Sequence, residues 1–174
     1  MMIEFQIAGE AETERLILLL REFAEKEGKR WNDGQKRRAL AELFSCPDFN
    51  LIWLILEGDA AIGYIILTLG HSIEYGGRDA FIDEVYVRSS HRGRGIGARG
   101  IEVAEAAALK LNVNAMHLEF DRDNAPALGL YRNFGFEGHE SLLMTRWLDS
   151  ERTGAAPTPF PESGIGGTTK GLRG

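Results

Sequence analysis

The chain has 174 residues, 44% of them apolar and 26% charged. Those proportions belong to a globular protein, and the length supports one domain with an ordinary core. The net charge of −6, from 26 acids against 20 bases, argues against nucleic acid as a partner and for a cationic one. No run approaches the roughly 18 apolar residues of a membrane span. The opening Met-Met-Ile-Glu-Phe-Gln lacks the basic-then-apolar pattern of a signal peptide. Cys46 is the only cysteine, which excludes an internal disulfide and fits a reducing compartment. A cytoplasmic protein is expected, with Cys46 as a buried structural thiol.

Ile3 to Ala8 alternates as a short strand. From Glu12 to Lys26, Leu16, Leu20, Phe23 and Ala24 fall at helical spacing. A second helical pattern, with Leu40, Leu43 and Phe44 on one face, follows Asn32 and Asp33, either of which can cap it. Leu51–Leu56 and Ala61–Leu69 are apolar runs joined by Glu57-Gly-Asp-Ala60, a hairpin pattern. His71 to Arg78 reads as a loop and Ala80 to Val87 as a strand. A helix from Gly97 to about Leu111 buries Ile101, Ala104, Ala108 and Leu111. Ala115 to Phe120 is the next strand. Asn124-Ala-Pro-Ala127 opens a short helix that Gly135 closes. Phe136 is expected to begin a strand, and Ser141 to Leu148 to continue the sheet.

The expected organisation is one domain over residues 1–149 and a Gly/Pro-rich tail over 150–174 that is too poor in apolar residues to fold alone. The element order β-α-α-β-β-β-α-β-α-β-β mixes hairpins with one crossover. It implies an α/β fold of the mixed α+β kind: a central mixed, largely antiparallel sheet with helices on both faces.

The segment from Phe81 to Ala98 is a strand running into a glycine-rich turn that opens a helix. Gly93, Gly95 and Gly97 let the backbone approach a ligand closely. The helix N-terminus favours an anion, and Arg92 and Arg94 add positive charge. This is a phosphate cradle. Gly95-Ile-Gly-Ala-Arg-Gly100 matches the dinucleotide fingerprint G-x-G-x-x-G. In a dinucleotide site, however, the first glycine follows its strand almost directly, whereas residues 88–94 intervene here. Too few βα units remain after Phe120 for such a domain. A glycine turn that only packs a helix on a sheet is the bland alternative.

In the register Arg92-Gly93-Arg94-Gly95-Ile96-Gly97 the turn is R-x-x-G-x-G, with Val85-Tyr86-Val87 just ahead. A second element, Asn124-Ala-Pro-Ala127-Leu-Gly-Leu-Tyr131-Arg-Asn-Phe-Gly135-Phe136, follows after one helix and one strand. In these two elements the chain resembles the GNAT superfamily of acetyl-coenzyme A-dependent N-acetyltransferases, closely over 80–148 and by element order elsewhere. The resemblance implies a GNAT-like single-domain fold and acetyl-coenzyme A as co-substrate, with no metal. It assigns the coenzyme to Val85, Tyr86, Val87, Arg92, Gly93, Arg94, Gly95, Ile96, Gly97, Ala98, Asn124, Ala127 and Tyr131. It also implies direct attack of the amine on the thioester, without a covalent intermediate on Cys46.

Tyr131 matches the family's general acid. Asp83, Glu84 and Glu119 are open as the base, alone or through a water relay, with Asp83 first because the resemblance implies a base on its face of the strand. Strand alternation puts Phe81, Asp83, Val85 and Val87 on one face and Ile82, Glu84 and Tyr86 on the other. The pair Asp83-Glu84 resembles the adjacent acids of the polyamine acetyltransferase branch, and Glu119 the base of ribosomal-protein N-terminal acetyltransferases. His71, His91, His117 and His139 lack metal-ligand spacing, and His91 lies in the cradle. Arg132 can reach the coenzyme phosphates or be solvated. Glu22, Glu25, Asp33 and Glu74 can draw in a cationic amine or form solvated faces. The expected acceptor is a small basic metabolite. A protein N-terminus or lysine is the second reading, and a non-catalytic acyl-coenzyme A-binding domain the third. A homodimer through Leu142–Trp147 is expected by analogy with the family.

Overall fold

The computed structural model describes residues 2–120, 124–139, 143–146 and 148. The chain divides into two compact units, Met1–Glu137 and Gly138–Gly174, and every element below belongs to the first. In chain order these are β1 (Ile3–Ile7), α1 (Thr13–Lys26), α2 (Asp33–Ser45), β2 (Asn50–Glu57) and β3 (Ala60–Ser72). Then come β4 (Gly77–Val87), α3 (Ile96–Lys110), β5 (Val113–Leu118) and α4 (Ala125–Asn133). The order matches the expected one as far as α4. No helix among the described residues is long and apolar enough to cross a membrane.

Local chemistry explains most boundaries. Asn32, rather than Asp33, caps α2, its side chain accepting from the Gln35 N–H at 3.0 Å. Gly58, with φ of 60°, turns β2 into β3. The loop expected over His71–Arg78 shrinks to 73–76, because β3 and β4 pair as far as Ser72↔Gly77. α4 ends in a Schellman closure. The Gly135 N–H donates to Arg132 at 3.0 Å and the Phe136 N–H to Tyr131 at 3.1 Å, with Gly135 at φ 80°.

That closure corrects one expectation. The Phe136 N–H is engaged by the helix end, and 136–139 lie outside any strand. Residues 143–146 and 148 are likewise outside any strand, while Ser141, Leu142 and Trp147 fall outside the described residues, as does the tail over 150–174.

The five strands form one sheet in the order β1-β2-β3-β4-β5. Neighbours are antiparallel except β4 and β5, which the α3 crossover makes parallel. Each face carries a core. On one, Trp53, Ile55, Ile65, Leu67, Ala80, Ile82 and Val87 pack with Ile96, Ala104 and Ala108 around α3. On the other, Leu16, Ile17, Leu20 and Leu40 from α1 and α2 cover Ile52, Leu54, Tyr64, Ile66 and Tyr86.

One irregularity shapes the rest. Ile66 pairs with Glu84 and Leu67 with Ile82, so Asp83 is an extra residue in β4, a β-bulge. The alternation expected along this strand therefore breaks. Ile82 shares the α3 face with Val85 and Val87, while Glu84 and Tyr86 turn to the α1 face. The split of Phe81, Asp83, Val85 and Val87 against Ile82, Glu84 and Tyr86 holds only beyond the bulge.

Candidate active site

The turn between β4 and α3 offers free backbone donors over open space. Gly93 and Gly95 have φ of 74° and 72°, a left-handed conformation that disfavours any residue with a Cβ. Gly97 lies within α3 outside that region, so conformation alone does not require glycine there. A Cβ built on any of the three would meet nothing within 4 Å among the described residues, so none serves to pack the helix on the sheet. Gly100 does that instead: its Cβ would sit 2.4 Å from Ile65 Cδ1. Among the described residues no side chain caps α3. Its first N–H groups, those of Ile96, Gly97 and Ala98, have no intrahelical acceptor and lie at the positive end of the helix dipole. The Ile96 side chain is buried, so only its main chain can face a ligand.

The two arginines of the turn are held by the protein. Arg92 Nε donates to the Val87 carbonyl at 2.8 Å, with its guanidinium 5.9 Å from the Tyr86 ring centre. Arg94 donates to Glu57 Oε1 at 2.6 Å, and His91 Nε2 lies 3.3 Å from Glu57 Oε2. Glu57, at the end of β2, thus holds two side chains of the turn. The hydrogen bond from Arg94 holds the Glu57 carboxyl below the usual carboxylate range. Sequence reasoning missed Glu57, since no local signal joins it to the turn.

β4 and β5 part just beside this turn. Their ladder ends at Ile82↔Leu118, next to the bulge, while β4 continues to Val87. The Arg88 N–H donates to Ile62 on β3 at 2.9 Å. By ladder alternation, Glu84 and Tyr86 also direct their main chain to β3, which leaves that of Val85 and Val87 toward the gap. The Val87 carbonyl there already accepts from Arg92. Tyr86 is turned away altogether: its ring lies in the α1 core and its hydroxyl donates to Glu22 at 3.3 Å.

The candidate acids differ in surroundings. Asp83 is exposed on the bulge, and Glu119 is exposed just past β5. Glu84 is half-buried on the α1 face and accepts a 2.8 Å hydrogen bond from Tyr64. Burial pushes its carboxyl above the usual range, and the Tyr64 bond opposes that rise. Tyr131, on α4, packs against Phe120, two residues past β5, with ring centres 5.4 Å apart. Burial raises its phenol above the ordinary value.

Other expected residues have structural partners. Asn124 accepts from the Ala127 N–H at 3.2 Å, so these two cap α4 together. Arg132 is exposed. Of the acids expected to attract an amine, Glu22 forms two hydrogen bonds with Arg88, at 2.9 and 2.7 Å. Asp33 pairs with Arg21 and Arg37 at 2.7 and 2.6 Å. Glu25 and Glu74 of that set are exposed. Cys46 is exposed rather than buried, because it sits at the end of α2 where the chain turns toward β2. It lies near Asn50, at the opposite end of β2 from Glu57, about 20 Å along the strand.

The fold is shared with known acetyltransferases. The family model of the acetyltransferase (GNAT) family matches residues 16–136. A thialysine N-epsilon-acetyltransferase of Bos taurus is 28% identical over 96 residues, 55% of this chain; the match spans about half, 52%, of that relative's length. An integron cassette protein from the mobile metagenome of Cole Harbour Salt Marsh has a crystal structure that superposes with a TM-score of 0.75 at 34% identity. That match covers 83% of this chain and 90% of the other. A predicted acetyltransferase from Clostridium acetobutylicum, solved with acetyl-CoA, shares the fold with a TM-score of 0.71 at 18% identity, covering 83% and 96% of the two chains. The chain belongs to the acetyltransferase (GNAT) family.

Proposed function

We propose that this protein moves an acetyl group from acetyl-coenzyme A to the primary amine of a small basic metabolite, by direct attack of the amine on the thioester. The observation that carries this reading is the uncapped start of α3, where three glycines leave open space above free N–H groups at the point where β4 and β5 separate. Such a surface suits a pyrophosphate. The gap beside it exposes the Val85 main chain, whose N–H polarises the thioester carbonyl as charge develops on its oxygen.

Glu84 takes the proton of the attacking amine, directly or through water. Among the described residues it alone of the three candidate acids is partly enclosed and held by a side-chain hydrogen bond. Asp83 and Glu119, both exposed, supply negative charge that favours an ammonium-bearing acceptor. Tyr131 gives its proton to the departing thiolate. Cys46 stands outside this scheme, at the far end of β2. The preference for a small amine rests on the Asp83-Glu84 pair and on the bovine relative, whose name gives thialysine as its acceptor.

A panel of amines assayed by coenzyme A thiol release tests the reading. The panel comprises thialysine, short diamines, and peptides with free N-termini or lysines. Release with a small amine is expected, and Tyr131→Phe should cut kcat about tenfold or more while leaving coenzyme affinity within about twofold. Release only with peptides would replace the acceptor class. Tight coenzyme binding without release by any amine would leave a binding domain.

A further inference from the structure

Tyr64 is a tyrosine within the apolar first part of β3, Ala60–Leu67. Its neighbours in β3 are Ile62, Gly63, Ile65, Ile66 and Leu67, and it is fully enclosed. A buried phenol needs a hydrogen-bond partner, and a packing role alone is met by phenylalanine. The partner here is the Glu84 carboxylate, one strand away and 20 residues on, at 2.8 Å. The ring itself is fixed against Tyr86, with centres 5.8 Å apart, and Tyr86 lies 5.7 Å from Phe23 of α1. The hydroxyl therefore stands on a rigid base, and it meets Oε2 of the first β4 residue past the bulge.

We propose that Tyr64 is a positioning residue for acetyl transfer: its hydroxyl holds Glu84 Oε2 and so leaves Oε1 as the oxygen that receives the amine's proton. The inference rests on Glu84 being the proton acceptor, as proposed above. Tyr64 keeps its own proton throughout. The N–H bond of the amine breaks as the N–C bond to the acetyl carbon forms and the thioester C–S bond breaks; the amine's proton passes to Oε1, the leaving thiolate takes the Tyr131 proton, and the Tyr64 phenol is unchanged. The carboxylate is presented in one orientation before substrate arrives, which is what a base needs for efficient transfer.

The titratable and charged groups facing this pair are Asp83 and Tyr86 from β4, Lys36 from α2 and Lys29 from the α1–α2 connection. On α1, Glu22 faces Tyr86. None of them replaces the Tyr64 hydrogen bond to Glu84 among the described residues. Burial lifts both the phenol and the carboxyl, and the bond between them draws the carboxyl back down.

The test is the pH profile of kcat/KM, using the best small amine from the thiol-release panel, for the natural protein, Tyr64→Phe, Glu84→Asp and Glu84→Gln. Tyr64→Phe should move the acidic limb up by about one pH unit and leave coenzyme affinity unchanged, because the ionised carboxylate has lost a charge-assisted donor. Glu84→Asp, which draws the carboxylate back from the hydroxyl, should move it the same way and serves if Tyr64→Phe fails to fold. Glu84→Gln should remove the limb and about a hundredfold of the rate. An unmoved limb in both Tyr64→Phe and Glu84→Asp, with the limb lost in Glu84→Gln, would overturn the role of Tyr64 while Glu84 remains the base. Full rate and an intact limb in Glu84→Gln would remove Glu84 as base and Tyr64 with it. Absence of thiol release with every amine would instead overturn the proposed reaction itself.

Discussion

Single residues divide here by whether the fold or the ligand accounts for them. Gly100 is a packing glycine, with Ile65 in the way of any side chain. Gly97 has open space around it and lies outside the left-handed region, so neither packing nor backbone strain explains it. Replacing it tests the cradle cleanly. Gly97→Leu should hold or raise the melting temperature, since leucine is the better helix former by several tenths of a kcal/mol. The same change should weaken coenzyme A binding by about tenfold or more in calorimetry, the cost of blocking the approach to the helix end. Undiminished affinity would remove Gly97 from the site. Tyr64 is the converse case, a polar atom inside a packed strand whose partner explains it. Its signal was present in the sequence as a lone hydroxyl within an aliphatic run, and it went unread because its partner lies on another strand.

Among the elements, β4 decides the site. The bulge at Asp83 stands where the β4–β5 ladder ends, and the added twist of a bulge accounts for the parting of the two strands. It also lets one strand send Ile82 and Val85 to one core and Glu84 to the other. On the other flank β4 lies tight against β3. A Cβ at Gly63 would fall 2.3 Å from the Tyr86 carbonyl oxygen, a backbone atom that cannot step aside. Gly63→Ala should therefore cost about 2–4 kcal/mol in chemical denaturation, with most of the residual structure's acetyl transfer lost as β4 shifts. A stable and fully active Gly63→Ala protein would show that β4 has more latitude than its register implies. Two adjacent acids in an apolar strand, Asp83-Glu84, were a legible hint of broken alternation. The position of the extra residue was not, because both sides of a bulge obey the same local propensities.

At the scale of the whole molecule, Glu22 ties α1 to the end of β4 through Arg88 and Tyr86. The Arg88 hydrogen bonds hold the Glu22 carboxyl below its ordinary range. A carboxylate lowered on folding adds stability above its unfolded value, near 4.3, and loses it as pH falls through the lower folded value. Glu22→Gln should thus destabilise the protein near neutral pH and converge with the natural protein in acid. Both side chains are about one-third exposed, at 34% and 38%, so solvent screening limits the effect to about 1 kcal/mol. Urea unfolding at pH 7 and pH 3 reads the difference, and equal gaps at both would rule out the ion pair as its source.

The sequence by itself determined the elements in order as far as α4, the mixed sheet, the glycine turn on a helix N-terminus and the opening and closing of α4 at Asn124 and Gly135, while the choice of Asn32 over Asp33 as the α2 cap fell to the structure. Each of these is written within a few residues, as a hydrophobic period, a left-handed glycine or an N-cap side chain. Only the tertiary structure decided which acid stands beside a buried phenol, which arginine is tied up by Glu57, and which acids of α1 and α2 are neutralised by arginines. The Tyr64–Glu84 and Glu22–Arg88 contacts join residues 20 and 66 positions apart. Such contacts exist only once the sheet's register and its bulge have brought the partners together, and no local pattern in the chain encodes that meeting.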